Sequence, residues 1–210
     1  LLGQSGRDHD LAFALGLGIC PILYMQRDFA QAENQAKRLL QLAAEKDLPY
    51  FVPFGQVVLG AIKAKNEPNG EGLRMLRAGL ELYGRSGQRA LLSFCLSLLA
   101  EALDGQDETV HMLDEAADFV GETGERFYEA ELTRLGGDFL ATQAADPDEI
   151  EFCYRQALDI ARRQQAKSLE LRAAIGLASS LCRHGQIQEA HQLLADSYRW
   201  FSEGFESADL

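Results

Sequence analysis

Apolar residues recur along this chain at helical spacing. From Glu149 onward, Ile150, Cys153, Tyr154, Ala157, Leu158 and Ala161 follow i, i+3, i+4, i+7, i+8, i+11, which is one stripe on one helix face. Ile187, Ala190, Leu193, Leu194 and Ser197 make a second stripe. Polar, Gly-rich turns interrupt such stretches at Gln26-Arg27-Asp28, Asn66 to Gly70, Gly84 to Gly87, Gly105 to Asp107, Gly121 to Gly124 and His184-Gly185. The pattern predicts about ten helices in five hairpins: 7–24 with 28–46, 50–66 with 69–85, 87–104 with 107–122, 125–144 with 147–165, and 167–184 with 186–203. Asp146-Pro147 supplies an N-cap followed by Pro at the first helical position, and Glu67-Pro68 does similar work. Asp47 and Pro49 open a third helix, with Pro53 near its first turn. Pro21 is the misfit: late in the first helix, it is expected to kink or end it.

The hairpins repeat. A small residue follows Leu or Ile at Leu17-Gly18, Leu59-Gly60, Leu99-Ala100, Leu135-Gly136 and Ile175-Gly176, at spacings of 42, 40, 36 and 40. Ala32, Gly72, Thr109, Ile150 and Ala190 mark the second helices at 40, 37, 41 and 40. A Gly inside a helix costs about 1 kcal/mol against Ala, so its recurrence implies close approach of paired helices. One hairpin cannot bury its apolar face alone, whereas stacked neighbours can. The expected fold is all-α: a right-handed α-solenoid of about five hairpins, one domain over 1–210, read as a fragment of a longer chain.

Composition sharpens this. The chain has 33 Leu and 28 Ala, but only 16 Val, Ile and Thr together, which disfavours sandwiches, barrels and doubly wound sheets. Its net charge of −12 argues against nucleic acid and against anionic membrane surfaces as partners. The longest apolar stretch, Leu11 to Met25, holds Gly16, Gly18 and Pro21 and is too short to span a bilayer. Cys20, Cys95, Cys153 and Cys182 are far apart in sequence, and read as small buried hydrophobes in a reducing, cytoplasmic compartment.

The period, the central small residues, the partial Ala-x6-Ala spacing (Ile150 to Ala157, Ala190 to Ser197, Gly72 to Gly79) and the helix-opening prolines resemble a long variant of the tetratricopeptide repeat (TPR). The second half carries a narrower resemblance. Gly124 to Leu132 runs into Arg134-Leu135-Gly136, and is followed by Tyr154 to Arg162, Lys167 to Ala174 and Tyr198 to Phe205. This succession over 90–210 resembles the C-terminal TPR region of bacterial multidomain signalling ATPases. In those proteins a class III adenylate/guanylate cyclase domain often precedes an AAA-like ATPase module. The match is weaker over 1–90, where Asp8-His9-Asp10 occupies a comparable place. The resemblance implies a non-catalytic scaffold whose partners are proteins, peptides, other domains of the parent chain or a second copy. An alternative implication is a sensor that holds a small effector and regulates an upstream ATPase. In TPR folds the first helices line the concave face, so the resemblance implies partner contacts at Gln56, Ser93, Ser97, Glu101, Tyr128, Glu131, Arg134, Asp138 and Glu170. Read from spacing alone, Glu131 and Arg134 make an i, i+3 ion pair on a helix surface.

No catalytic, cofactor or metal site is expected. Gly16-Leu17-Gly18 is not followed by Gly-Lys-Ser/Thr, so it is no P-loop. His184 and His191 flank a turn, and Cys182 beside His184 lacks a third ligand. Residues 101 to 125 hold nine carboxylates (Glu101, Asp104, Asp107, Glu108, Asp114, Glu115, Asp118, Glu122, Glu125) and no Lys or Arg. A solvated face is the favoured reading there, and a dock for a basic partner the other. Arg155, Arg162, Arg163, Lys167 and Arg172 form a smaller basic group, explained by the helix dipole or by pairing with acidic surfaces. Phe127-Tyr128 and Trp200-Phe201 read as packing between repeats.

Overall fold

Asp146 does what its place before Pro147 predicts: its carboxylate accepts the Asp148 N–H at 2.9 Å and starts a helix. Asp28 caps another, accepting the Gln31 N–H at 3.1 Å. The computed structural model describes residues 2–66, 70–103, 107–204 and 209, and over these the chain is all-α, with no strand. Its elements are α1 (Leu2–Phe13), a π-helical turn (Ala14–Ile19), α2 (Cys20–Met25), α3 (Phe29–Glu45), a 3-10 turn (Pro49–Phe51), α4 (Val52–Asn66), α5 (Glu71–Arg85), α6 (Leu92–Leu103), α7 (Asp107–Thr123), α8 (Glu129–Thr142), α9 (Pro147–Gln164), α10 (Lys167–Arg183) and α11 (Ile187–Tyr198). No helix among the described residues is long and apolar enough to cross a membrane. The Glu67-Pro68 signal, Asp104 and Gly105 lie outside the described residues.

Four features differ from the sequence expectation, three of them for a local reason. Pro21 does not end its helix. The chain stays helical through it, and the turn just upstream widens, with the Cys20 N–H bonded to the Leu15 carbonyl. That π turn relieves the clash of the proline ring with the preceding turn. α6 starts at Leu92 rather than 87, because Leu91 has φ of 59° and cannot join a right-handed helix. α8 starts at Glu129 rather than 125. There the Glu125 side chain accepts the Phe127 N–H at 2.8 Å, and Thr123 Oγ1 accepts the Glu125 N–H at 3.2 Å. Such local side-chain bonds compete with helix formation. The last helix also closes early, at Tyr198 rather than 203.

The chain divides into two compact units, Leu1–Ala102 and Leu103–Leu210. In the first, α4 is buried almost all round, from Pro53 to Ala64, and packs against α3 and α5. A helix apolar on every side belongs at the centre. Phe54 stacks on Phe94 with ring centroids 6.3 Å apart, and Tyr24 meets Phe94 edge-on at 5.8 Å. In the second unit α8 packs on α7, α9 and α10, and α10 packs on α9 and α11. Its core gathers Ile150, Tyr154, Ala157, Leu158, Ala174, Leu177 and Leu181.

The repeat positions can be checked one by one. All five second-helix markers are buried, and so is the residue seven positions after each: Ala32 and Leu39, Gly72 and Gly79, Thr109 and Ala116, Ile150 and Ala157, Ala190 and Ser197. The first-helix series needs a shift at two positions. A Cβ on Gly18 or Gly136 would meet nothing within 4 Å, whereas Gly16 and Gly137 face packed neighbours. The tightest crossing is between α4 and α5. A Cβ on Gly60 would lie 2.8 Å from the Leu76 Cα, and one on Gly72 would lie 2.8 Å from the Ala64 Cα. In the second unit, Gly137 of α8 and Gly176 of α10 leave the slot that the Tyr154 ring fills.

Candidate functional site

Candidates in the first unit fall on α4 and α6. Gln56 is half-buried, and among the described residues its Oε1 finds no hydrogen-bond partner. Ser93 and Ser97 are fully inside the unit, and the Ser97 hydroxyl donates to the Phe94 carbonyl at 2.7 Å. Their place on an apolar helix turns them toward the core, so neither offers surface to a partner. Glu101 is half-buried. It accepts the Tyr24 hydroxyl at 2.9 Å and Lys65 Nζ at 2.8 Å, while Lys65 also lies over the Phe29 ring at 5.0 Å.

The second unit brings three candidates together. Arg134 grips Glu131 with two parallel bonds, Nε to Oε2 and Nη2 to Oε1, both at 3.0 Å. Its remaining nitrogen bonds Asp138, which also accepts the Tyr154 hydroxyl at 2.7 Å. Arg172 of α10 approaches Glu131 at 3.7 Å and donates to Asp209 from Nε at 2.9 Å and Nη2 at 2.6 Å. The side chains of Glu131 and Arg172 are each 5 % exposed and that of Arg134 11 %, so the pair expected on a helix surface is interior. Tyr128 is buried beside them in sequence, at the start of α8. Glu170 stands apart from these contacts: it accepts Arg162 at 3.0 Å and Lys167 at 2.7 Å.

The environment shifts several of these groups. Burial works against charge on Arg134, but Glu131 and Asp138 outweigh it and hold the guanidinium more firmly protonated than usual. Arg172 behaves alike, with the Asp209 hydrogen bond and Glu131 outweighing burial. Burial raises the Tyr154 phenol, and the Asp138 charge raises it further. At Glu170 burial alone would raise the carboxyl, yet bonds from Lys167 and Arg162 bring it below its ordinary value. A depressed folded pKa contributes stability above the unfolded value and loses it as pH falls through the folded one. Glu170→Gln is therefore expected to be less stable than wild type at neutral pH, and the gap should close as pH drops below 4.5, the ordinary value. Melting curves from pH 7 to pH 3 check this, and a gap independent of pH would contradict it.

The basic group is largely spent on pairs. Arg155 reaches Glu189 at 2.9 Å, and Arg162, Lys167 and Arg172 are paired as above. On α7, Asp114, Glu115, Asp118 and Glu122 are exposed, as both a solvated face and a dock for a basic partner require. Cys20 and Cys95 are buried, and burial pushes the Cys20 thiol up to about 12. Cys182 is exposed, against the expectation for all four. Tyr128 packs inside, while Phe127 and Trp200 are 45 % and 60 % exposed, the first against the Tyr128 ring and the second against Phe201. No group of three or more His, Cys, Asp or Glu among the described residues is placed to hold a metal.

Two grooves open on the second unit. One, of about 350 Å³, is lined by Leu171 and Ile175 of α10, by His191, Leu194, Ala195 and Tyr198 of α11, and by Asp209. The other, about 500 Å³, lies over Leu140, Asp148, Glu149, Phe152 and Cys153. Both linings are mainly apolar. Sequence reasoning missed Tyr154 and Asp209 as members of the ionic network and placed Arg172 in a surface patch. An isolated Arg within Leu169 to Ala174 was the available signal for Arg172. Comparison with protein-family models, curated proteins and solved structures finds no match.

Proposed function

We propose that this chain is a non-catalytic, TPR-like α-solenoid scaffold in the cytoplasm that mediates protein contacts, as the C-terminal interaction region of a bacterial signalling ATPase or adenylate/guanylate cyclase. The observation that carries the reading is the recurring buried pair on each second helix, with glycine at the α4–α5 crossing and around Tyr154. Within each unit helices pack on near neighbours in sequence, which suits hairpins stacked in order. The blocks between Gly124 and Phe205 favour the signalling family. The titratable groups gathered on α8 and α10 neutralise one another in the interior, a structural arrangement rather than a set of free acids and bases. The partners it suits are a protein or peptide, a sister domain of the parent chain or a second copy. The purified chain is expected neither to hydrolyse nor to cyclise ATP or GTP above a buffer control, and turnover that follows the protein through purification would overturn the reading.

A further inference from the structure

Trp200 is the one tryptophan of the chain, and it stands 60 % exposed just past the end of α11. Its ring meets Phe201 edge-on at 5.2 Å, and the Lys167 Nζ lies 5.7 Å from its centre. Arg199 is exposed as well and pairs with Asp196 at 3.1 Å across open surface, a weak pair that exchanges readily. Tryptophan and arginine are the side chains most enriched among those that carry binding energy at interfaces. The same unit offers a receptacle of matching chemistry. The groove of about 500 Å³ is lined by Leu140, Phe152 and Cys153 and by the acidic Asp148 and Glu149, with Phe152 61 % exposed. Burial and the Glu149 charge raise the Cys153 thiol, so it lines the groove as a neutral group. Asp148 and Glu149 are exposed, and among the described residues neither is in an ion pair. Their place in the first turn of α9 suits the helix dipole, which does not account for an uncovered phenylalanine beside them. A groove of this size admits an indole, and its carboxylates suit a cation that arrives with it. The two features cannot meet within one chain. The groove lies at the N-terminal end of α9, whereas Lys167, in contact with Trp200, follows its C-terminal end. The 18 residues of α9 set those ends about 27 Å apart.

We propose that Trp200 and Arg199 of one copy dock into the α8–α9 groove of a second copy, the indole against Phe152 and the guanidinium on Asp148 and Glu149. This deepens the scaffold reading, and rests on it, by choosing the second copy among its partners. A contact between two different patches is heterologous. A copy with a spoiled groove therefore still offers its tryptophan, and a copy without the tryptophan still offers its groove.

Sedimentation velocity on the full chain, from about 1 µM to about 1 mM, is expected to show a mass that rises with concentration. Phe152→Lys and Trp200→Ala should each sediment as a single chain at concentrations where wild type associates. Both side chains are exposed, so both variants keep their fold, as circular dichroism would verify. Mixed together, the two variants should form a complex of one copy of each, because one supplies the tryptophan and the other the groove. In that mixture the only tryptophan belongs to Phe152→Lys, so its emission should shift to the blue as Trp200→Ala is added. Adding Asp148→Asn and Glu149→Gln to the Trp200→Ala partner should weaken this titration about fivefold and flatten its dependence on salt. A wild-type chain that stays monomeric, or association that survives either variant, would overturn the contact. So would a mixture that forms no complex, an emission that does not move, or indifference to loss of the two carboxylates. A monomeric chain that still captures a protein from lysate loses this contact alone, whereas nucleotide turnover counts against the scaffold reading itself.

Discussion

Gly72→Ala is expected to destabilise the first unit by about 2–4 kcal/mol, and Gly136→Ala to stabilise the second by about 0.5–1 kcal/mol. Both glycines are helical and sit at repeat-marking positions in the sequence, so propensity alone predicts the same gain for each. Space decides the sign. At Gly72 the new methyl would lie 2.6 Å from the Lys63 carbonyl carbon and 2.8 Å from the Ala64 Cα. These are backbone atoms of α4, a helix buried on nearly all sides, and α4 and α5 would have to separate to admit it. At Gly136 the methyl would meet nothing within 4 Å, so only the helix-propensity gain remains. Urea unfolding of the two variants gives the comparison directly. A Gly72→Ala protein as stable as wild type would mean that the α4–α5 crossing is looser than described.

Arg134→Met carries the second large expected effect, a loss of about 3–5 kcal/mol. The side chain of Glu131 is 5 % exposed and owes its two short contacts to Arg134. Without that partner it would remain a buried carboxylate with Arg172 at 3.7 Å, too long to replace them. Removing both charges should recover much of the loss, since an apolar pair of similar volume is often as stable as a buried ion pair. Glu131→Leu with Arg134→Met is therefore expected to be more stable than Arg134→Met alone, with Arg172 still paired to Asp209. A cost below about 1 kcal/mol for Arg134→Met would place this pair energetically at the surface.

How far these features could be read from sequence follows from their range. The helices were legible because an apolar stripe such as Ile150 to Ala161 is a local pattern. Buried second-helix positions were legible for the same reason, repeated five times. The first-helix crossings were only half legible. Gly16 and Gly18 are two positions apart and Gly136 and Gly137 adjacent, and a period of about forty residues does not choose within either pair. Pro21 was half legible: it disturbs the helix through the π turn just upstream rather than ending it, and that turn has no signature in the side chains around it. The candidate site was less legible still. Spacing brings Glu131 and Arg134 together, but burial depends on what α10 lays over them, and Arg172 comes from 38 positions further along. Asp209 reaches Arg172 across 37 positions, a contact that no local pattern encodes.

Affinity capture from bacterial lysate, with the full chain as bait, tests the scaffold account most directly. It is to be run with wild type and with lysine at Asp114, Glu115, Asp118 and Glu122. The account predicts that the wild-type chain retains a specific protein, in fixed ratio to bait, and that the α7 variant retains it equally because those carboxylates lie on an exposed, solvated face. Retention of no protein above an unrelated helical control would contradict it.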